Sequence, residues 1–135
     1  MHPRATVLII EDVLLQLDMY ELALHDVGYN VLRATRGHTG YDVAVTEKPD
    51  VIILDLMLPD VDGWVVCGWL KANPITAAIP VIVLTARDDY DIPLRALHAN
   101  VADLFHKPCP IDRLAAAIDK ALGRTTGAPQ EKPPA

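Results

Sequence analysis

Short uninterrupted apolar runs alternate with longer segments of helical periodicity along this chain. Residues 6–10 (TVLII) form a run rich in β-branched side chains, which predicts a strand buried on both faces. Residues 14–27 carry apolar positions at helical spacing (Leu15, Met19 and Leu22, flanked by Leu14 and Val27) and stop at Gly28, a residue suited to the left-handed turn after a helix. The same reading gives a strand over 29–34, a helix over 38–47 closed by Pro49, and the most apolar strand over 51–54. It continues with a helix over 63–72 interrupted by Gly68, a strand over 80–84, and a helix over 92–99 with Asp91 as its N-cap and Pro93 in its first turn. A strand over 101–105 and a helix over 111–122 complete the pattern.

Five strands alternating with five helices predict an α/β fold: a five-stranded parallel sheet with helices on both faces. Residues 1–122 form the folded domain, and the Pro- and Gly-rich segment 123–135 is expected to be a disordered tail. With 51% hydrophobic and 22% charged residues the composition is that of a globular chain, and its 5% aromatic content leaves the core to Val, Ile, Leu and Ala. No apolar run approaches the roughly 20 residues of a membrane span, and the first residues show neither a long apolar stretch nor a small-residue cleavage site, so no secretory leader is expected. A formal net charge of −6 without a basic stripe argues against nucleic acid as a direct ligand. Cys67 and Cys109 stand apart without a CxxC, and the five histidines show no metal-ligand spacing. The expectation is a cytoplasmic protein with reduced thiols and no membrane or nucleic-acid partner.

Parallel sheets place their functional groups at the carboxyl ends of the strands. Glu11 and Asp12 follow the first strand, Asp55 the third, Thr85 the fourth and Lys107 the fifth. Taken singly, an Asp or Thr after a strand is an ordinary helix cap. Gathered on one rim, three carboxylates repel one another unless a cation neutralises them, and an all-oxygen donor set suits Mg²⁺. A hydroxyl and an ammonium beside them complete a set fit for phosphoryl transfer.

The segments Val7-Leu-Ile-Ile-Glu-Asp12, Val51-Ile-Ile-Leu-Asp-Leu-Met-Leu-Pro-Asp-Val-Asp-Gly63, Val81-Ile-Val-Leu-Thr-Ala86 and Leu104-Phe-His-Lys-Pro108 resemble, in that order, the motifs of the receiver domain of two-component response regulators. The resemblance implies the flavodoxin-like strand order 2-1-3-4-5 and a phosphoacceptor module, expected to stand alone because a tail of about 13 residues is too short to fold into an output domain. It implies Asp55 as the phosphoacceptor for a phosphohistidine donor, Asp12 as a Mg²⁺ ligand with Glu11 acting through water, and the Met57 carbonyl as a further ligand. Lys107 would pair with Asp55 or the phosphoryl group, Thr85 would move to bond it, and the Lys107–Pro108 peptide would be cis. The implied partners are a histidine kinase or histidine phosphotransfer protein and a downstream target. On this reading the only chemistry is self-catalysed phosphorylation and dephosphorylation of Asp55. A haloacid-dehalogenase-like phosphatase also uses a strand-end Asp, but it needs a second Asp where this chain has Met57. A flavodoxin-like flavin carrier shares the architecture but needs a phosphate loop after strand one.

The chain departs from the family pattern at Leu104, where an aromatic switch residue is usual, and at Asn100 and Cys109. A smaller rearrangement on phosphorylation is therefore expected on the face formed by the helix over 92–99, the strand over 101–105 and the helix over 111–122. The apolar start of the first helix suggests Leu14 and Leu17 as a docking patch for the phosphodonor. Met57 and Arg87, flanking the open side of the phosphoryl group, suggest slow self-dephosphorylation.

Overall fold

A computed structural model describes residues 4–123. The elements are β1 (Thr6–Ile10), α1 (Leu14–Asp26), β2 (Asn30–Ala34), α2 (Gly37–Glu47), β3 (Val51–Leu54), α3 (Gly63–Ala72), β4 (Val81–Thr85), α4 (Ile92–His98), β5 (Asp103–His106) and α5 (Ile111–Ala121). All four strand pairings are parallel, in the order β2-β1-β3-β4-β5. The expected fold class and strand order are therefore observed. The fifth strand begins two residues later than expected because Asn100, at φ 55°, carries the turn that precedes it. Except for Gly123, the segment expected to be a disordered tail lies outside the described residues.

Strand alternation divides the core in two. Leu8, Ile10, Ile52, Leu54, Val81 and Val83 pack under one helical layer with Val66, Leu70 and Ala96. Val7, Ile9, Val51, Ile53, Ile82 and Leu84 face the other layer, with Leu17, Leu24, Leu114 and Ile118. Leu104 packs with the first set and Phe105 with the second, as alternation along β5 requires. No helix among the described residues is long and apolar enough to cross a membrane.

Helix α1 corrects the sequence reading. Leu17 is fully buried, so it cannot belong to a docking patch; Leu14, Leu15, Met19 and Leu22 are exposed. The helix is apolar on both sides, and its core-facing side is set by Leu17 and Leu24, two turns apart. Asp91 occupies the N-cap of α4 but its side chain makes no capping hydrogen bond.

Helix α2 is capped from a distant part of the chain. Its N-cap residue, Arg36, offers no capping side chain. Instead, the Asp60 carboxylate accepts the Gly37 and His38 amides at 2.8 and 2.9 Å, and lies 2.7 Å from His38 Nδ1. Burial pushes the Asp60 carboxyl up, but these donors outweigh it and hold it well below the usual carboxylate range. Asp60→Ala is expected to cost about 1–2 kcal/mol in urea unfolding near neutral pH. A depressed folded-state pKa stabilises above the unfolded-state value of about 3.9 and ceases to do so as pH falls, so the gap between wild type and variant should narrow below about pH 4.

Candidate functional site

The strand order reverses between β1 and β3, and the groups expected at the strand ends meet beside that crevice. Asp55 directly follows β3 and its backbone N–H donates to the Ile10 carbonyl, which anchors it against the end of β1. Glu11 and Asp12 directly follow β1. One carboxylate oxygen from each of Glu11, Asp12 and Asp55 lies within 4.8 Å of the others, with Glu11 and Asp55 buried and Asp12 open to solvent. These are hard oxygen donors with no thiol or imidazole among them, which fits Mg²⁺.

Lys107 supplies the countercharge. Its ammonium donates to Asp55 Oδ2 at 2.9 Å, to Gln16 Oε1 at 2.5 Å and to Glu11 Oε1. Only 10% of the Lys107 side chain is exposed, so the ammonium is held among its partners rather than in bulk water. Burial lowers its pKa, but the Glu11 and Asp55 carboxylates outweigh burial and raise it. Burial pushes the Glu11 carboxyl up against the opposing pull of Lys107 and of the Val13 amide, which donates to Glu11 Oε2 at 3.0 Å. Gln16 had no mark in the sequence beyond being a polar residue in the apolar run 13–17.

Asp55 is held at both oxygens, since Oδ1 accepts the Met57 amide at 3.0 Å while Oδ2 accepts Lys107. Met57 itself is exposed, and its backbone bridges to Asp62 across the loop after β3. Gly63 closes that loop by donating to the Leu56 carbonyl at 2.9 Å. Thr85, the last residue of β4, is buried; its hydroxyl oxygen accepts the Arg87 amide at 3.2 Å, leaving its own proton to donate. The Lys107–Pro108 peptide is cis.

The structure thus brings together Glu11, Asp12, Asp55 and Lys107, with Thr85 at the end of β4 and Met57 on the loop after β3. Arg87, two residues after Thr85, has acidic partners of its own. Its guanidinium is engaged by Asp62 at 2.9 Å and Asp89 at 2.7 Å, so it bridges two loop carboxylates instead of reaching toward Asp55. Asp89 lies two residues along the same loop, whereas Asp62 lies 25 positions away on another, where no local spacing marks it as a partner.

Residues 7–119 match the family described as the response regulator receiver domain. The chain is 37% identical to the DNA-binding dual master transcriptional regulator RpaA of Synechocystis, over 92% of this chain and 52% of that protein. It superposes with a TM-score of 0.81 and 30% identity on the signal receiver domain of a signal transduction histidine kinase from Syntrophus aciditrophicus, covering 95% of each chain. A second structure is the receiver domain of the Pseudomonas aeruginosa sensor histidine kinase PA1611, which has a magnesium ion coordinated in its active-site cleft. It gives a TM-score of 0.82 at 25% identity, covering 90% of this chain and 99% of that one. The chain spans about half the length of the curated relatives it matches.

Proposed function

This chain belongs to the response regulator receiver family, and on that premise we propose that it accepts a phosphoryl group on Asp55 from a phosphohistidine donor. The observation that carries the proposal is a buried carboxylate fixed at both oxygens, with two further carboxylates and one ammonium around it. Glu11, Asp12, Asp55 and the Met57 carbonyl would hold Mg²⁺, whose charge when bound offsets that of the carboxylates and the incoming phosphoryl oxygens.

In the transfer, an Asp55 oxygen forms a bond to phosphorus as the phosphorus–nitrogen bond of the donor breaks, and the electron pair stays on the imidazole nitrogen. The hydrogen bonds to both Asp55 oxygens fix the nucleophile before the donor arrives. Lys107 supplies a positive charge to the phosphoryl oxygens, and the free proton of Thr85 bonds one of them. These steps serve signalling by modification, not turnover of an external substrate. The exposed Val13, Leu14 and Leu15 beside the site give the donor, a histidine kinase or histidine phosphotransfer protein, an apolar surface to dock on.

Beryllofluoride with Mg²⁺, a stand-in for the phosphoryl group, tests this reading. Backbone amide signals of Asp55, Thr85 and Arg87 are expected to shift, and Asp12→Ala is expected to abolish the response. Unchanged wild-type spectra at saturating beryllofluoride would contradict it. With Leu104 half-buried on β5 and lacking a polar group to exchange partners, shifts along α4, β5 and α5 should be small.

Phosphate lifetime provides a separate prediction. Met57 is exposed next to Asp55 and has no side-chain donor to orient a water, and Arg87 is held by Asp62 and Asp89. Self-dephosphorylation should therefore be slow, over minutes or longer, and Met57→Asn should accelerate it about tenfold. Decay of the phosphorylated protein measures both; a wild type that decays within seconds contradicts the expectation.

A further inference from the structure

Away from the phosphoryl site, the outer surface between α2 and α3 holds a cavity of about 740 Å³ lined by His38, Tyr41, Asp42, Trp69, Asn73 and Pro74. Three rings meet there at steep angles. His38 and Trp69 have centroids 5.0 Å apart with planes inclined by 56°, and Tyr41 meets Trp69 at 5.7 Å and 66°. Tyr41 and Trp69 rest with one side against the core and are half-buried, while His38 is exposed on the outer side of Trp69.

Hydrogen bonds hold two of the rings in place. Asn73 Nδ2 donates to the Tyr41 hydroxyl at 2.8 Å, and His38 Nδ1 is 2.7 Å from Asp60 Oδ2. Trp69 is half-buried and packs against the core beneath α3. The walls therefore need little ordering when a ligand enters. Asp42 stands exposed at the rim, makes no ion pair among the described residues, and belongs to a chain of net charge −6.

Ring faces present negative potential, and several inclined rings with a carboxylate beside them make a receptor for an organic cation. We propose that this cavity binds an ammonium or guanidinium group, seated against Trp69, with Tyr41 and His38 as side walls and Asp42 as the countercharge. A neutral donor such as urea can hydrogen-bond Asp42 but carries no net charge for the carboxylate and ring faces to attract, and an anion would be repelled by both.

Titration of the full chain at pH 8 and matched ionic strength, followed by NMR through the Tyr41 ring and the Asn73 side-chain amide, tests the assignment. Tetramethylammonium and argininamide are the probes, and urea is the neutral control. Saturable shifts with either cation at millimolar concentration, and none with urea, are expected. Argininamide binding more tightly would identify a guanidinium side chain as the natural ligand type, and tetramethylammonium binding more tightly a quaternary ammonium. Asp42→Asn should weaken binding about threefold and Trp69→Leu about fivefold or more. Asp42 lies on an exposed helix face, so its variant keeps the test open should Trp69→Leu fail to fold. Absent or non-saturating shifts, equal shifts with urea, or undiminished binding by folded Asp42→Asn would each overturn the proposal.

Discussion

Replacing Lys107 with methionine is expected to destabilise the protein by about 3 kcal/mol at pH 7 and to cut phosphoryl incorporation at least tenfold. The ammonium is the shared partner of Glu11, Gln16 and Asp55, and all three of these ion-site contacts are removed together. Methionine retains the length of the stem but leaves two buried carboxylates without their cation, the case in which breaking a buried ion pair costs most. Burial already pushes the Glu11 carboxyl up, and Lys107 is the principal group opposing it. In the variant the folded state should bind a proton at Glu11 more readily than the unfolded chain does. A raised folded-state carboxyl pKa makes the deficit largest at pH 7–8 and lets it shrink as pH falls toward about 5. Added Mg²⁺ should offset part of the loss, because a divalent ion bound only by the folded state supplies charge where the ammonium stood. Urea unfolding at several pH values, with and without Mg²⁺, reads all of this; equal stability of variant and wild type at pH 8 would contradict it.

A methyl group at position 63 should do comparable damage by a steric route. A Cβ on Gly63 would lie 2.5 Å from the Leu56 Cα and 2.6 Å from the Asp55 carbonyl oxygen, both backbone atoms. Neither can swing aside as the end of a side chain can. The loop carrying Asp55, Leu56 and Met57 must shift, breaking the Gly63 N–H to Leu56 carbonyl contact and misplacing the Asp55 carboxylate. Gly63→Ala is expected to cost about 3 kcal/mol and at least tenfold in phosphoryl incorporation. Gly68→Ala, five residues along the same helix, is the control. A Cβ there meets nothing within 4 Å, and the change should be neutral or stabilising by up to about 1 kcal/mol. Equal effects at the two glycines would refute the steric account.

The strand ends were legible because apolar runs of β-branched residues stop at chemically conspicuous groups: Ile10 before Glu11, Leu54 before Asp55, Leu84 before Thr85. The orientation of α1 was not. Apolar residues stand on both sides of that helix, and periodicity alone selected Leu15, Met19 and Leu22, whereas Leu17 and Leu24 face the core. Long-range polar contacts were equally hidden. Asp60 caps a helix that begins 23 positions earlier, Gln16 joins Lys107 across 91 positions, and Arg87 is held by an acid 25 positions away. Such partners are selected by the assembled parallel sheet, which gathers its loops along one edge, and local spacing carries no trace of them.

The central claim, that Asp55 is the phosphoacceptor, is tested most directly by chemical trapping. The protein is incubated with a phosphohistidine donor and Mg²⁺, reduced with borohydride, which converts an aspartyl phosphate to homoserine, and mapped by peptide mass spectrometry. Homoserine at position 55 alone, lost when Mg²⁺ is chelated and absent from Asp55→Asn, is the predicted result. Phosphoryl transfer to the folded protein that leaves position 55 as unmodified aspartate, or that persists undiminished in Asp55→Asn, would contradict it.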